Sequence, residues 1–138
     1  MIELKNLGKQ TPHRLSGADA ALLERVPNPM DASSQRVSVI IETDEFTSLC
    51  PATGGPDFGT ITIEYVPGNW IVESKSLKYY FESFRNEPIF HERVVSKMCT
   101  DLAALLDPDW ITVGGDFKPR GGLAIRPRAS WSRTPDDA

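Results

Sequence analysis

The chain has 138 residues, 40% of them hydrophobic and 25% charged, and its net charge is -4. This composition is typical of a single soluble globular domain, which at this length can bury a continuous core. The acidic balance disfavours a protein that grips the phosphates of a nucleic-acid duplex. No apolar run is long enough to cross a bilayer, and the N-terminus lacks the apolar segment of a signal peptide.

In chain order, residues 1–34 are rich in proline and small polar residues, and only 18–26 has helical character. This predicts an arm that lies over the body of the protein or over a neighbouring subunit. Residues 36–42 and 60–66 alternate apolar and polar side chains, which predicts two strands. A turn and a short extended piece at 70–72 follow the second strand.

The hydrophobic period then changes to that of a helix. Leu77, Tyr80, Phe81 and Phe84 share one face of a helix that we expect to begin near Ser74 or Ser76 and to stop before Pro88. A longer helix follows, with an apolar stripe from His91 to Leu106, and Asp107-Pro108 ends it.

Residues 110–117 and 122–128 then predict two more strands, joined by a turn around 118–121, and the polar tail from Ser130 is expected to be loose. The order β-β-α-α-β-β predicts an α+β fold. Its antiparallel four-stranded sheet has two helices between the second and third strands, packed on one face. A sheet with so few strands has exposed edges that can pair with copies of itself.

The connection between the first two strands contains the sequence's most informative residue. Proline and glycine exclude a regular element from 51–56, so Cys50 should lie on an ordered loop, with Asp57 seven residues later. A loop cysteine near an acid is typical of covalent chemistry at an electrophilic carbon. The same pattern also fits a small apolar side chain packed under a turn.

Three further groups are candidates for a site. Glu73 ends the extended piece predicted at 70–72, where a carboxylate can point into a pocket. Lys75 and Lys78 lie near a helix start and fit either an anionic phosphate or an ordinary solvated face. His91 and Glu92 fit either a structural helix start or the recognition of paired N–H donors on a planar heterocycle.

Other site types find no support. The two cysteines and two histidines lack the paired spacing of zinc ligands, so we expect no metal. The glycine pairs form neither a dinucleotide-binding fingerprint nor a P-loop. Two cysteines in unrelated contexts do not make a disulfide scaffold, and a reducing cytoplasm is the expected compartment.

Three motifs, taken together, resemble the NADPH-dependent 7-cyano-7-deazaguanine reductases, the nitrile reductases of queuosine biosynthesis in tRNA modification (QueF family). The resemblance covers about residues 35–128, in the short, single-module form of the family. The motifs are Phe46-Thr47-Ser48-Leu49-Cys50-Pro51 with Asp57-Phe58, then Glu73-Ser74-Lys75-Ser76-Leu77-Lys78-Tyr79, and Phe90-His91-Glu92.

The resemblance implies the tunnelling fold (T-fold) for a catalytic domain at 35–130. Composition alone, outside the resemblance, predicts the N-terminal arm at 1–34 and the polar tail at 131–138. It also implies a homo-oligomer with sites at subunit interfaces, NADPH as cofactor and 7-cyano-7-deazaguanine as substrate. The implied catalytic residues are Cys50 as nucleophile and Asp57 as proton donor. The implied substrate-binding residues are Val72, Glu73, Ser74, His91 and Glu92, and the implied cofactor-binding residues are Lys75 and Lys78.

Three arginines near the second glycine-rich turn, Arg120, Arg126 and Arg128, are further candidates for contact with the cofactor's ribose phosphate. Two alternative functions stay open. One is a cysteine-dependent hydrolase of amidase or nitrilase type, and the other is a non-catalytic purine- or pterin-binding module of the same fold.

Overall fold

The computed structural model describes residues 18–31 and 33–134. Its elements are a short 3-10 helix at Ala20–Leu22, strands β1 (Arg25–Pro27), β2 (Val39–Leu49), β3 (Pro56–Val66) and β4 (Trp70–Val72), helices α1 (Ser74–Glu82) and α2 (His91–Leu106), and strands β5 (Trp110–Phe117) and β6 (Arg128–Ser132).

The main sheet has four antiparallel strands in the order β2-β3-β5-β6. Both helices fall between β3 and β5 in the chain, as the sequence predicted, so the α+β fold with its β-β-α-α-β-β order is confirmed. The short strand β4 is an addition to that order, and it pairs with β1 in a separate two-stranded sheet.

The core lies between the helices and one face of the main sheet. Helix α2 buries a stripe of side chains that repeats every three or four residues, including Val94, Met98 and Leu102, against Ile111 and Val113 of β5. Burying each such side chain contributes about 1.5–3 kcal/mol. Asp107, with φ of 43°, ends α2 in the left-handed region, where the sequence predicted a stop.

The first two strands are longer than predicted. The predicted 36–42 is observed as β2 over 39–49, and the predicted 60–66 as β3 over 56–66. Their pairing shifts register between Thr43 and Phe46, where β2 contains a β-bulge. A bulge interrupts the alternation of apolar and polar residues, and for this reason the pattern in the sequence ended the strand too early.

The last strand was predicted over 122–128 and is observed over 128–132, so the prediction of a loose tail from Ser130 is wrong for residues 130–132. Residues 120–123 form a two-residue turn instead. Pro127 accepts a bond from the Gly115 N–H at 3.0 Å but has no N–H to return. Regular pairing with β5 therefore begins only at Arg128.

The helical character predicted for 18–26 is also wrong beyond one 3-10 turn, because residues 25–27 pair as a strand with β4. The described part of the predicted arm packs on its own chain, where the N–H groups of Asp19 and Glu24 donate to the hydroxyls of Ser83 and Ser76. Residues 1–17, 32 and 135–138 lie outside the described residues. The division into arm, catalytic domain and tail stays a prediction.

Candidate active site

Cys50 lies on the loop that joins β2 to β3, as predicted. Its N–H donates to the carbonyl oxygen of Gly55 at 2.8 Å, and the Gly54 N–H donates to the Cys50 carbonyl at 2.8 Å. Gly54 has φ of 75°, a conformation that glycine adopts without strain. These bonds close the loop, so a fixed backbone presents the half-buried thiol.

Asp57 lies on β3 directly opposite Ser48 of β2. Its side chain is only 6% exposed, and both carboxylate oxygens have partners. Oδ1 lies 2.8 Å from Nε of Arg120, and Oδ2 lies 3.1 Å from Nε2 of His91. Because a buried carboxylate is costly unless it is paired, these two contacts are what allow Asp57 to occupy this position.

Backbone pairing brings the start of α2 to the end of β2. The Leu49 N–H donates to the Glu87 carbonyl at 3.0 Å, and the Ile89 N–H donates to the Leu49 carbonyl at 3.1 Å. His91, two residues after Ile89, therefore lies beside the Cys50 loop. Its imidazole stacks on the ring of Phe117 with centroids 3.8 Å apart.

These residues surround a cavity of about 250 Å³, which we name the Cys50 cavity. Its apolar rim includes Ile89, Phe90 and Leu123. Its polar lining consists of Cys50, Asp57, His91, Glu92, Lys118 and Arg120. A concave, largely apolar site with a few convergent polar groups is typical of small-molecule recognition.

The thiol is activated by its own loop. Hydrogen bonds from the Thr53 side chain, then from the backbone at Thr53 and Ala52, lower the pKa of Cys50, and the charge of Arg120 adds to this effect. Partial desolvation acts in the opposite direction. A lowered pKa increases the thiolate fraction at neutral pH, and the thiolate is the form that attacks carbon.

The remaining predicted substrate-binding residues lie at the other end of the molecule. Val72 pairs with Arg25, whose guanidinium donates to the Leu105 carbonyl in the last turn of α2. His91 is the first residue of this 16-residue helix, so about 20 Å of helix separates it from Leu105, beside which Arg25 and Val72 lie. Glu73 and Ser74 follow Val72, and within one subunit the five predicted substrate-binding residues do not form one site.

The chain is similar in sequence to known proteins of one family. A sequence model of the family described as QueF-like protein matches residues 56–136. An NADPH-dependent 7-cyano-7-deazaguanine reductase of Methylorubrum extorquens (strain PA1) is 50% identical over 121 residues, which cover 88% of this chain and 77% of that protein. The protein of the same name from Helicobacter pylori (strain Shi470) is 45% identical over 130 residues, covering 94% and 87%.

The chain belongs to the QueF-like family. Its fold also resembles the apo crystal structure of the archaeosine synthase QueF-Like, with a TM-score of 0.61 at 20% identity. That likeness covers 69% of this chain and 91% of the other, and it supports the T-fold.

In this QueF-like chain, Glu73 caps α1. Its Oε1 accepts from the Ser76 N–H at 2.7 Å, and its Oε2 accepts from the Lys75 N–H at 2.9 Å. Lys78 lines a second cavity, also about 250 Å³, between α1 and β2, and no lining residue of that cavity belongs to the Cys50 cavity.

Sequence reasoning missed two residues of this QueF-like site and assigned a third differently. Thr53 and Phe117 carried no recognisable signal, because each acts through a contact that only the fold creates. Arg120 was considered for the cofactor's phosphate, whereas here its guanidinium contacts Asp57, Thr53 and Pro56 of its own chain.

The described residues of this QueF-like chain contain neither a metal-binding cluster nor a membrane-spanning helix. Across 18–31 and 33–134, no three His, Cys, Asp or Glu side chains are grouped so that they would hold a metal ion. Neither helix in that part of the chain has the length and apolarity that crossing a membrane requires.

Proposed function

We propose that this chain is an NADPH-dependent nitrile reductase that converts 7-cyano-7-deazaguanine into 7-aminomethyl-7-deazaguanine in tRNA queuosine biosynthesis. The family relationship gives the reaction, since relatives up to 50% identical carry that name. The observation that carries the proposal is the convergence of Cys50, Asp57 and His91 on one cavity. Both cysteines are free thiols, which supports a reducing cytoplasm.

The Cys50 thiolate adds to the nitrile carbon, and the nitrile nitrogen takes a proton, which gives a covalent thioimidate. Asp57 would supply that proton, and His91, whose Nε2 lies 3.1 Å from Asp57 Oδ2, would assist. After the first reduction, the tetrahedral carbon expels the Cys50 thiolate and leaves an imine. A second reduction and a further proton give the primary amine.

NADPH supplies the hydride at both reductions, so two equivalents are consumed per nitrile. The donors of α1 fit such a cofactor: Lys75 and Lys78 are cationic and would hold its phosphates. Lys78 is exposed and lines a cavity together with Ser74 and Arg85. The protein contributes the nucleophile, the proton and the geometry.

The heterocycle requires acceptors for its guanine-like N–H groups, and carboxylates suit them. Glu92 is exposed in the first turn of α2 and lines the Cys50 cavity. Glu73 lies at the opposite end of the same chain. We therefore propose that the complete site combines His91 and Glu92 of one subunit with Val72, Glu73 and Ser74 of a neighbouring subunit in a homo-oligomer.

The reaction is tested by mixing the protein with the cyano base and NADPH. Reduction predicts two NADPH oxidised per substrate and a product with the mass of the amine. A hydrolase would give the acid and ammonia without oxidising NADPH, and a binding module would leave the base unchanged. Cys50→Ala should abolish both turnover and the covalent mass shift, whereas Cys99→Ala, in the buried helix stripe, should retain both.

The shared site is tested separately by complementation. Co-expressed Cys50→Ala and Glu73→Gln chains should regain part of the turnover that each lacks alone, because mixed neighbours contain some intact sites. As a matched control, Cys50→Ala with His91→Ala should regain none, since both changes affect the same end. A mixed oligomer without restored turnover would contradict the shared site and leave the reductase assignment untouched.

A further inference from the structure

The guanidinium of Arg120 contacts three parts of the loop and strand that contain the reactive groups. Its Nε lies 2.8 Å from Asp57 Oδ1, its Nη1 donates to the Thr53 hydroxyl at 3.2 Å, and its Nη2 donates to the Pro56 carbonyl at 2.9 Å. Every nitrogen of the side chain is thus bonded within its own subunit. A planar fork of donors suits this arrangement, and a lysine cannot reproduce it.

The backbone fixes the position of Arg120. Its N–H donates to the Leu123 carbonyl at 3.2 Å, and the Leu123 N–H returns a bond to the Arg120 carbonyl at 3.0 Å. Gly121 and Gly122 between them have φ of 58° and 81°, the signature of a tight two-residue hairpin turn that needs glycine. This turn points Arg120 back at β3, where the Lys118 N–H is bonded to the Phe58 carbonyl.

Thr53 connects Arg120 to the thiol. Its hydroxyl accepts from Arg120 and is hydrogen-bonded to the Cys50 side chain. Since a hydroxyl accepts and donates at once, the guanidinium polarises the group that stabilises the thiolate. The charged or titratable groups that line the Cys50 cavity around the thiol are Asp57 of β3, His91 and Glu92 of α2, and Lys118 and Arg120 after β5.

We propose that Arg120 is a positioning residue, which holds Asp57 and the Cys50 loop in one arrangement and acts on the thiol through Thr53. In this role it links the nucleophile and the acid of the reaction. The proposal rests on the proposed function for its importance to turnover. Its effect on the thiol is independent of which substrate the protein reduces.

The experiment measures the rate of Cys50 alkylation by iodoacetamide as a function of pH in the full-length protein. The half-point is the pH at which this rate reaches half its maximum, and Arg120→Gln should move it to higher pH. The same variant should reduce kcat about 10- to 100-fold, as expected when reacting groups are misplaced, with little change in KM for NADPH. Arg120→Lys should stay impaired because it restores the charge but not the fork. Arg133→Gln, an exposed arginine paired with Asp107 and Asp109, is the control and should match the parent protein.

Thr53→Val keeps the shape of an exposed loop residue and removes its hydroxyl. This variant therefore tests the connection from Arg120 through Thr53 to the Cys50 thiol even if Arg120→Gln does not fold. It should raise the half-point as well. An unchanged half-point in Thr53→Val or in folded Arg120→Gln overturns the proposal. So does full recovery by Arg120→Lys, or a loss confined to KM for NADPH, which would assign Arg120 to the cofactor. Because alkylation needs neither nitrile nor NADPH, its outcome stands even if the reductase assignment fails.

Discussion

The imidazole of His91 lies flat on the ring of Phe117, with centroids 3.8 Å apart and planes only 2° from parallel. Two glycines make room for this ring. A Cβ on Gly115 would lie 2.6 Å from Phe117 Cε2, and a Cβ on Gly59 would lie 2.9 Å from Phe117 Cδ1. Since stacking fixes the plane of the imidazole, Phe117 fixes the direction in which His91 Nε2 meets Asp57.

The first prediction concerns this platform. Gly115→Ala should destabilise the protein by about 1–3 kcal/mol, because the buried ring of Phe117 must move, and should lower kcat by more than the stability loss explains. Urea unfolding and turnover measure the two effects. Gly114→Ala is the matched control, since its Cβ would have 4.0 Å to the nearest atom, the Thr62 carbonyl oxygen. Equal effects at the two positions would contradict the role of Phe117.

The second prediction tests Asp57 as the proton donor. Asp57→Asn should lower kcat about 10²- to 10⁴-fold, and mass spectrometry should show the Cys50 adduct with the cyano base forming more slowly than in the parent protein. Asp116→Asn, an exposed carboxylate paired with Arg126 at 3.0 Å, should leave turnover unchanged. Turnover near the parent rate in Asp57→Asn would exclude Asp57 as the donor.

The third prediction uses the contrast between the two thiols. Hydrogen bonds from Thr53 lower the pKa of Cys50, whereas burial raises the pKa of Cys99, which is 5% exposed. Limited iodoacetamide at neutral pH should therefore add one label, at Cys50, and a second only after unfolding. The labelling rate should rise with pH and reach half its maximum below the value of an ordinary thiol, about 8.5. Folded Cys50→Ala should take no label. A label on Cys99 in this variant would show that the apolar stripe of α2 is accessible to the reagent.

The fourth prediction concerns the contact that joins the two helices. The Tyr80 hydroxyl donates to Asp101 Oδ2 at 2.7 Å, and Lys97 lies 2.9 Å from the same oxygen. Tyr80→Phe should cost about 1.5–3 kcal/mol, because a hydrogen bond to a charged group is lost. Tyr79→Phe is the control and should cost less than about 0.5 kcal/mol. Urea unfolding that fails to separate the two variants would contradict this account.

The same contact has a pH dependence. Burial, and then the Asp101 carboxylate, raise the pKa of Tyr80 above its ordinary value of 10.0. The folded state therefore keeps a proton that the unfolded state loses above about pH 10. This stabilisation is present below that pH and is lost as the pH rises further, and Tyr80→Phe should reduce the loss.

The helices were predictable because their signal is local. The apolar stripe of α2 and its stop at Asp107 are contained in 17 consecutive positions, from His91 to Asp107. The motifs around Cys50 and His91 likewise named residues that the fold brings to one cavity. Their catalytic roles stay predictions until the variants are measured.

The contacts that complete the site were not predictable, because they join distant parts of the chain. Arg120 bonds to Thr53 across 67 positions, and Phe117 meets His91 through a fold-dependent stack. The start of β6 depends on Pro127. Because proline has no N–H to donate to β5, regular pairing begins only at Arg128. The separation of Val72 from His91 was also not predictable, because a sequence does not show at which end of a sheet each residue lies.

The extra residue in β2 near Thr43 decides where the sulfur emerges. Side chains alternate between the two sides of a strand, so one inserted residue exchanges them. Before the insertion, odd-numbered Ile41 and Thr43 are opposite Ile63 and Ile61; after it, even-numbered Phe46 and Ser48 are opposite Gly59 and Asp57. Without this insertion, a straight continuation of β2 would turn Cys50 to the face of the sheet opposite the helices. The backbone of the sheet would then separate the Cys50 thiol from the Asp57 carboxylate.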